Sequence, residues 1–237
     1  MLEVPLDNDW TYIGVLVDRS GSMQTLNPSV VSKELTQFIK DQEGGKVTVT
    51  AARFDNEYEV FIKNELAQNV TITPDDIKPR NMTAFYQSFC RFIDDIGKEL
   101  SDMTDVRPGK VVIVVLTDGE ENNSQGIYLG ENGRKLLFEK INHQKEVYSW
   151  VFFFMGTNID AINTGKNIGI DQETCINFAN TQESCSTVIK TASAQVSKLR
   201  TTSASLFSNK ESLKKHISFT TDQRASCSTV NKNVYKL

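Results

Sequence analysis

The stretch Val15-Leu-Val-Asp18-Arg-Ser20-Gly-Ser22-Met23 decides the fold that this sequence predicts. An apolar run ends abruptly at Asp18, and two serines follow at alternate positions, which gives the pattern Asp-x-Ser-x-Ser. Open α/β sheets bind ligands at the carboxyl ends of their strands, and hard divalent cations prefer carboxylate and hydroxyl oxygens. The stretch therefore indicates a buried strand that ends in cation ligands, although a polar turn after a strand has the same composition.

Two later segments favour the cation-binding interpretation. Pro79-Arg-Asn-Met-Thr83 is a loop that places a threonine just before a predicted helix. Lys110–Leu116 is an apolar strand that ends in Thr117-Asp118-Gly119, so a second strand also delivers a carboxylate. The sequence thus offers five oxygen donors from three separate loops, and we predict that they form one metal site: Asp18, Ser20, Ser22, Thr83 and Asp118.

These segments resemble the metal-ion-dependent adhesion site of von Willebrand factor type A domains, and the resemblance covers roughly residues 10–200. The sequence is most similar to the stand-alone, intracellular versions from bacteria and their viruses, because residues 117–122 read Thr-Asp-Gly-Glu-Glu-Asn and the fifth strand is rich in phenylalanine. The resemblance implies a doubly wound α/β fold with helices on both faces of a mostly parallel, six-stranded sheet. It implies the strand order 3-2-1-4-5-6, with strand 3 antiparallel.

The resemblance also implies how the site works. The hydroxyls of Ser20, Ser22 and Thr83 would bind Mg²⁺, with Mn²⁺ or Ca²⁺ as alternatives, and the threonine would do so directly or through water. Asp18 and Asp118 would act through bridging waters and hold the serine hydroxyls in place. One coordination position would stay open for an Asp or Glu side chain of a partner protein.

The hydrophobic pattern alternates apolar strands with amphipathic helices, as expected for a parallel sheet that is covered on both faces. A tight Asp-Asn link at residues 55–56 predicts a hairpin, which makes the third strand antiparallel. We predict strands at Tyr12–Val17, Lys46–Phe54, Glu57–Ile62, Lys110–Leu116, Val147–Met155 and Cys175–Ala179.

The chain of 237 residues suits one domain with an appendage. We predict a von Willebrand A domain over residues 1–207, which includes a C-terminal helix, and a partly mobile, Ser/Thr-rich basic tail over 208–237. Residues 181–237 carry nine basic and three acidic residues, a net charge of +6, whereas the remainder carries −10. A basic tail on an acidic body suits nucleic acid or an acidic partner, but a solvated surface is the interpretation that we favour.

The composition predicts a cytoplasmic protein. The N-terminus lacks the basic and apolar regions of a secretory signal, and no apolar run approaches the ~20 residues that span a bilayer. The four cysteines form no Cys-x-x-Cys pair and only two histidines are present, which argues against a zinc site and favours free thiols. We expect a monomer that binds neither membrane nor nucleic acid.

Our hypothesis is a non-enzymatic, magnesium-dependent module for protein–protein interaction. The alternative is a metal-dependent hydrolase or phosphatase that uses Asp118 and Glu120, since Glu120 and Glu121 are the nearest carboxylates that could act as a base. The absence of a histidine nearby favours a solvated loop for both glutamates. A third hypothesis is a nucleic-acid-associated factor that acts through the basic tail. Asp55 and Asp160 are interpreted as turn and helix-cap residues.

Overall fold

A computed structural model describes residues 4–42, 44–119 and 121–228, and it confirms the predicted fold class. One six-stranded sheet has the order β3-β2-β1-β4-β5-β6, in which β2 and β3 are antiparallel and all other neighbours are parallel. The strands are β1 (Leu6–Asp18), β2 (Lys46–Phe54), β3 (Tyr58–Leu66), β4 (Arg107–Thr117), β5 (Val151–Gly156) and β6 (Cys175–Asn177).

Helices cover both faces of this sheet. Those within the described residues are α1 (Pro28–Lys40), α2 (Phe85–Ser101), α3 (Gly130–Tyr148), α4 (Ala161–Asn167), α5 (Gln182–Arg200), α6 (Ala204–Phe207), α7 (Lys210–Ile217) and α8 (Thr221–Ser228). Apolar side chains of α1 and α5 share one buried cluster with residues of the sheet, and those of α2 and α3 share a second cluster. Each apolar helix stripe thus removes its own face of the sheet from water, which is the main stabilising term of such a layered fold.

The central strands place the predicted site. β1 lies between β2 and β4, with Val17 opposite Leu116 and Asp18 opposite Phe54. Because β1 and β4 run parallel and end at the same level, the chain leaves both strands at one edge of the sheet. This edge is where such sheets bind ligands.

The start of the fifth strand was predicted wrongly. Val147 and Tyr148 form the last turn of α3, where they are 59% and 58% exposed, and β5 begins only at Val151. The left-handed residue Ser149 (φ 56°) ends the helix. Two apolar residues directly before a strand pattern look like part of that strand, and the pattern does not show that they are exposed residues at the end of a helix.

The packed core extends past residue 207. Leu213, Ile217, Phe219 and Cys227 are buried in the same cluster as the apolar side chains of α5. The ring of Phe219 lies edge-on to that of Phe153, with 5.8 Å between centroids. Residues 208–228 of the predicted tail therefore pack against the domain, while 229–237 lie outside the described residues.

The state of the cysteines and the length and polarity of the helices relate to the predictions on free thiols and on membrane-spanning segments. All four cysteines are buried free thiols, as predicted. Within the described part of the chain, every helix is too short or too polar to cross a membrane.

Candidate metal centre

Three loops meet at the carboxyl edge of the sheet. Loop 1 (residues 18–27) follows β1, loop 2 (80–84) precedes α2, and loop 3 follows β4 and is described at 118–119 and 121–125. Loop 1 turns tightly because the Ser20 amide donates to Asp18 Oδ1 (2.7 Å), and a 3₁₀-helix, Gly21–Leu26, comes next. The buried side chains of Met23 and Leu26 anchor that helix in the core.

The five predicted site residues are brought together. Ser22 Oγ donates to Asp118 Oδ1 (2.7 Å), and the hydroxyls of Ser20 and Ser22 lie 3.0 Å apart. A Cβ atom placed on Gly119 would lie 3.3 Å from Thr83 Oγ1, 3.4 Å from Ser22 Oγ and 3.8 Å from Asp18 Oδ2. Gly119 of loop 3, which lacks a side chain, thus leaves a small space that is bounded by oxygens from loops 1 and 2. The role of these residues as ligands stays a prediction.

Thr117 is a residue that the sequence hypothesis did not include in the site. Its hydroxyl donates to Asp18 Oδ2 (2.6 Å), so the last residue of β4 orients the carboxylate that ends β1. The sequence contains one indication of this role of Thr117, because a threonine directly before the Asp-Gly pair lies at the same edge of the predicted sheet as Asp18.

Both aspartates are buried, and among the residues that the structure describes neither has a cationic side chain as a hydrogen-bond partner. Burial raises the pKa of Asp18 from 3.8 to about 6, despite hydrogen bonds from Thr117 and Ser20 that favour the ionised form. Burial also raises the pKa of Asp118, and within the described residues Asp118 Oδ2 has no hydrogen-bond partner. Two desolvated carboxylates, one of which has an oxygen without a hydrogen-bond partner among the described residues, fit a nearby cation, because a buried charge is costly unless it is paired.

Metal-free protein is expected to lose stability as the pH rises through about 6, by about 3 kcal/mol from Asp18 alone. Folding favours the protonated carboxyl because its pKa is higher in the folded chain than in the unfolded chain. The stabilisation is therefore complete below pH 3.8 and lost above about 6. Urea unfolding in EDTA checks this when wild type is compared with Asp18→Asn, since all other carboxyls are common to both. Parallel stability–pH curves for the two proteins would contradict the expectation.

Loop 3 holds loop 2 in place through hydrogen bonds to the backbone of Thr83. The Thr83 amide donates to Asn122 Oδ1 (2.9 Å), and the Thr83 carbonyl accepts the amides of Asn122 and Asn123, each at 3.0 Å. The position of the Thr83 hydroxyl thus depends on loop 3, which also carries Asp118. The sequence did not predict this contact of Asn122 with Thr83, because an asparagine in a polar loop does not indicate a partner that is distant in the sequence.

The Glu121 carboxylate is fully engaged in structural hydrogen bonds. Its Oε1 accepts the amides of Asn123 (2.8 Å) and Ser124 (2.6 Å), and its Oε2 accepts the Tyr86 amide (2.8 Å) and the Ser124 hydroxyl (2.6 Å). Ser124 Oγ in turn accepts the Gln87 amide (3.1 Å). Loop 3 therefore caps the first turn of α2, which has no local side-chain cap. Glu120, the base of the alternative hypothesis, lies outside the described residues.

The donor set at this edge fits a hard divalent cation. Two carboxylates and three hydroxyls from loops 1, 2 and 3 supply oxygens, and Mg²⁺ typically combines one or two carboxylates with other oxygens and water. Within the described residues, no group of three or more His, Cys, Asp or Glu side chains could hold a metal ion. Any metal at this edge would therefore depend on hydroxyl ligands as well as carboxylates.

Solved structures share this architecture, whereas the sequence matches no protein-family model and no curated protein. A von Willebrand factor type A protein from Catenulispora acidiphila matches with a TM-score of 0.52 and 12% identity, over 79% of this chain and 43% of that chain. The minor pilin PilB from Streptococcus sanguinis matches with a TM-score of 0.56 and 11% identity, over 83% and 63%. Proximal thread matrix protein 1 from the mussel byssus, solved with a zinc-occupied MIDAS motif, matches with a TM-score of 0.54 and 14% identity, over 79% and 46%.

These comparisons define the class of fold. The chain has a von Willebrand factor A-like α/β fold, as the strand order and the structural neighbours agree. It spans less than half the length of the von Willebrand factor and mussel chains that it matches. At 11–14% identity the likeness concerns the fold, and function has to be argued from the site itself.

Proposed function

We propose that this protein is a cytoplasmic, magnesium-dependent interaction module, which binds an Asp or Glu side chain of a partner protein at an intact metal-ion-dependent adhesion site. The observation that carries the proposal is the convergence of Asp18, Ser22 and Thr83 around Gly119, with Asp118 Oδ2 buried and unpartnered within the described residues. Asp18, Ser20, Ser22, Thr83 and Asp118 would hold the cation, in a stand-alone domain of the kind found in bacteria and their viruses.

The ligand chemistry supports binding of a partner carboxylate. When bound, Mg²⁺ would supply Lewis acidity to an incoming oxygen ligand. Ser20, Ser22 and Thr83 offer neutral hydroxyls, so the cation keeps more of its positive charge than it would in a cage of carboxylates. A carboxylate from a partner is the ligand that best matches such a cation.

Two features favour this function over the alternatives. All four acceptor positions of the Glu121 carboxylate are used by loop 3 and α2, so Glu121 is not available as a general base. In the C-terminal segment, Lys210 pairs with Glu146 (2.6 Å) and Lys214 with Asp171 (3.1 Å), so part of its basic charge is used within the domain. A binding module therefore remains our proposal, rather than a hydrolase or a nucleic-acid-binding factor.

An affinity capture experiment tests the function. Purified tagged protein is incubated with lysate of the native host, in Mg²⁺ or in EDTA, and retained proteins are identified by mass spectrometry. Asp18→Ala is the test variant, and Asp105→Ala, which removes an exposed carboxylate outside loops 1, 2 and 3, is the matched control. The interacting protein is then produced with its exposed Asp and Glu residues replaced one at a time.

The proposal predicts a partner that is retained by wild type and Asp105→Ala only in Mg²⁺, and whose binding is lost when a single partner carboxylate is removed. Retention that is equal in EDTA, or equal in Asp18→Ala, would contradict it. Turnover of phosphoester substrates that is lost in Asp118→Ala would instead favour the hydrolase hypothesis.

A further inference from the structure

Asp55 connects two loops of the metal site although it contributes no oxygen to it. The residue follows β2 and its side chain is fully buried. Asp55 Oδ1 accepts the Glu57 amide (2.7 Å), which is the expected turn contact. Asp55 Oδ2, however, faces Arg19 Nε of loop 1 at 3.2 Å and accepts a short hydrogen bond from Arg80 Nε of loop 2. One carboxylate oxygen thus joins guanidinium groups from two different loops.

Backbone hydrogen bonds tie the same three segments together. The Arg80 amide donates to the Arg19 carbonyl (2.7 Å), and the Gly21 amide donates to the Asn81 carbonyl (2.9 Å). The Ala84 amide donates to the Asp55 carbonyl (2.7 Å). Arg19 lies between Asp18 and Ser20, and Ala84 follows Thr83 directly, so each contact is adjacent to a predicted ligand. A shift of either arginine would therefore move ligands of both loops.

The ion pairs of Asp55 belong to a wider network of charged side chains. Arg19 also donates to Glu59 (2.5 Å), which accepts from Arg53 as well (2.9 Å), and Arg80 donates to Glu57 (2.6 Å). The network thus contains three guanidinium groups and four carboxylates: Arg19, Arg53 and Arg80 with Asp55, Glu57, Glu59 and, through Arg53, Asp76. A neutral side chain at position 55 would remove the charge that Arg19 and Arg80 share, and the buried Arg19 would lose one of its two carboxylate partners.

We propose that Asp55 is a positioning residue for the metal site, which holds loops 1 and 2 in the arrangement that a divalent cation needs. The inference rests on the proposed metal-dependent function and extends it to a residue whose side-chain partners within the described residues, Glu57, Arg19 and Arg80, are not predicted ligands. Partners of this kind behind a metal site typically change metal affinity by about 10- to 100-fold when they are replaced.

The test measures Mn²⁺ affinity directly, from the electron paramagnetic resonance signal of free Mn²⁺, on protein that is shown to be folded by circular dichroism. Asp55→Asn keeps the shape of the side chain and removes its charge. Asp76→Asn is the matched control, because the Asp76 carboxylate pairs with Arg53 (3.7 Å) at the other end of the network and accepts hydrogen bonds from Thr73, and neither residue belongs to loop 1 or loop 2. Arg80→Gln and the double variant complete a double-mutant cycle.

We expect Asp55→Asn to bind Mn²⁺ about tenfold more weakly than wild type, Arg80→Gln to be weakened as well, and Asp76→Asn to stay within about twofold. The double variant should be no weaker than Asp55→Asn, because both changes remove the same contact. If Asp55→Asn does not fold, the test relies on Arg80→Gln, because the Arg80 side chain is only partly buried. An Mn²⁺ affinity of Arg80→Gln that equals that of wild type then overturns the proposal. Wild-type protein that fails to bind Mn²⁺ contradicts the metal site itself, whereas unchanged affinity in folded Asp55→Asn contradicts only the positioning role.

Discussion

Replacing Asp118 by asparagine is expected to lower divalent-cation affinity by at least about 100-fold, while the metal-free protein becomes as stable as wild type or more stable. Asparagine keeps an oxygen that can accept the hydrogen bond from Ser22 Oγ. It removes a desolvated charge whose second oxygen lacks a partner within the described residues. It also removes the repulsion from Asp118, which adds to the larger effect of burial in raising the pKa of Asp18. Loss of binding with no loss of stability is typical of a residue that is kept for function.

Two measurements check this expectation. Mn²⁺ affinity is measured for wild type, Asp118→Asn and the exposed control Asp105→Asn, and urea unfolding is measured for all three in EDTA. The control should match wild type in both. An Asp118→Asn protein that binds Mn²⁺ like wild type, or that is markedly less stable in EDTA, would show that Asp118 serves the fold rather than a cation.

Replacing Glu121 by glutamine is expected to lower the free energy of unfolding by about 2–4 kcal/mol and to weaken Mn²⁺ binding as well. The Glu121 carboxylate accepts four hydrogen bonds, and glutamine keeps one accepting oxygen while its amide nitrogen faces donors that it cannot satisfy. Hydrogen bonds to charged groups are worth about 1.5–3 kcal/mol each, so losing two of them would cost about 3–6 kcal/mol in a fully buried site. Glu121 is only partly buried, which lowers the expected loss to about 2–4 kcal/mol. Loop 3 would then no longer cap α2 or hold Thr83.

Chemical denaturation of Glu121→Gln tests this role, and the same experiment on Glu131→Gln provides a matched control. Glu131 is exposed, and in the described part of the chain it pairs only with residues of its own helix, Arg134 and Lys135, so its replacement should change stability little. If Glu121→Gln is as stable as wild type, these hydrogen bonds do not hold loop 3. Glu121 would then again be a candidate for a general base.

The fold and the meeting of the five predicted site residues at one edge of the sheet could be predicted from the sequence for a physical reason. Parallel strands that are buried on both faces give continuous apolar runs, so the ends of β1 and β4 stand out where Asp18 and Asp118 interrupt them. Their meeting at one edge follows from strand order and needs no detailed side-chain packing. Thr83 could be placed because it precedes a helix with a clear apolar stripe.

The residues that support the site were not accessible in the same way. Asp55 and Glu121 look like ordinary loop residues, and their decisive partners, Arg80 and Tyr86, lie 25 and 35 residues away in the sequence. Hydrogen bonds between loops depend on exact backbone paths that periodicity does not encode. For the same reason the charge pattern of the C-terminal segment did not reveal that Leu213 and Phe219 pack into the core.

The most direct test of the metal site is an anomalous difference map from crystals of the wild-type protein grown with Mn²⁺. We expect one peak per chain at the carboxyl edge of the sheet, beside Gly119, with hydroxyl oxygens of Ser20 and Ser22 at about 2.1–2.3 Å from it. A map with no peak there, or with Mn²⁺ bound only at other carboxylates, would contradict the claim that loops 1, 2 and 3 form a cation site.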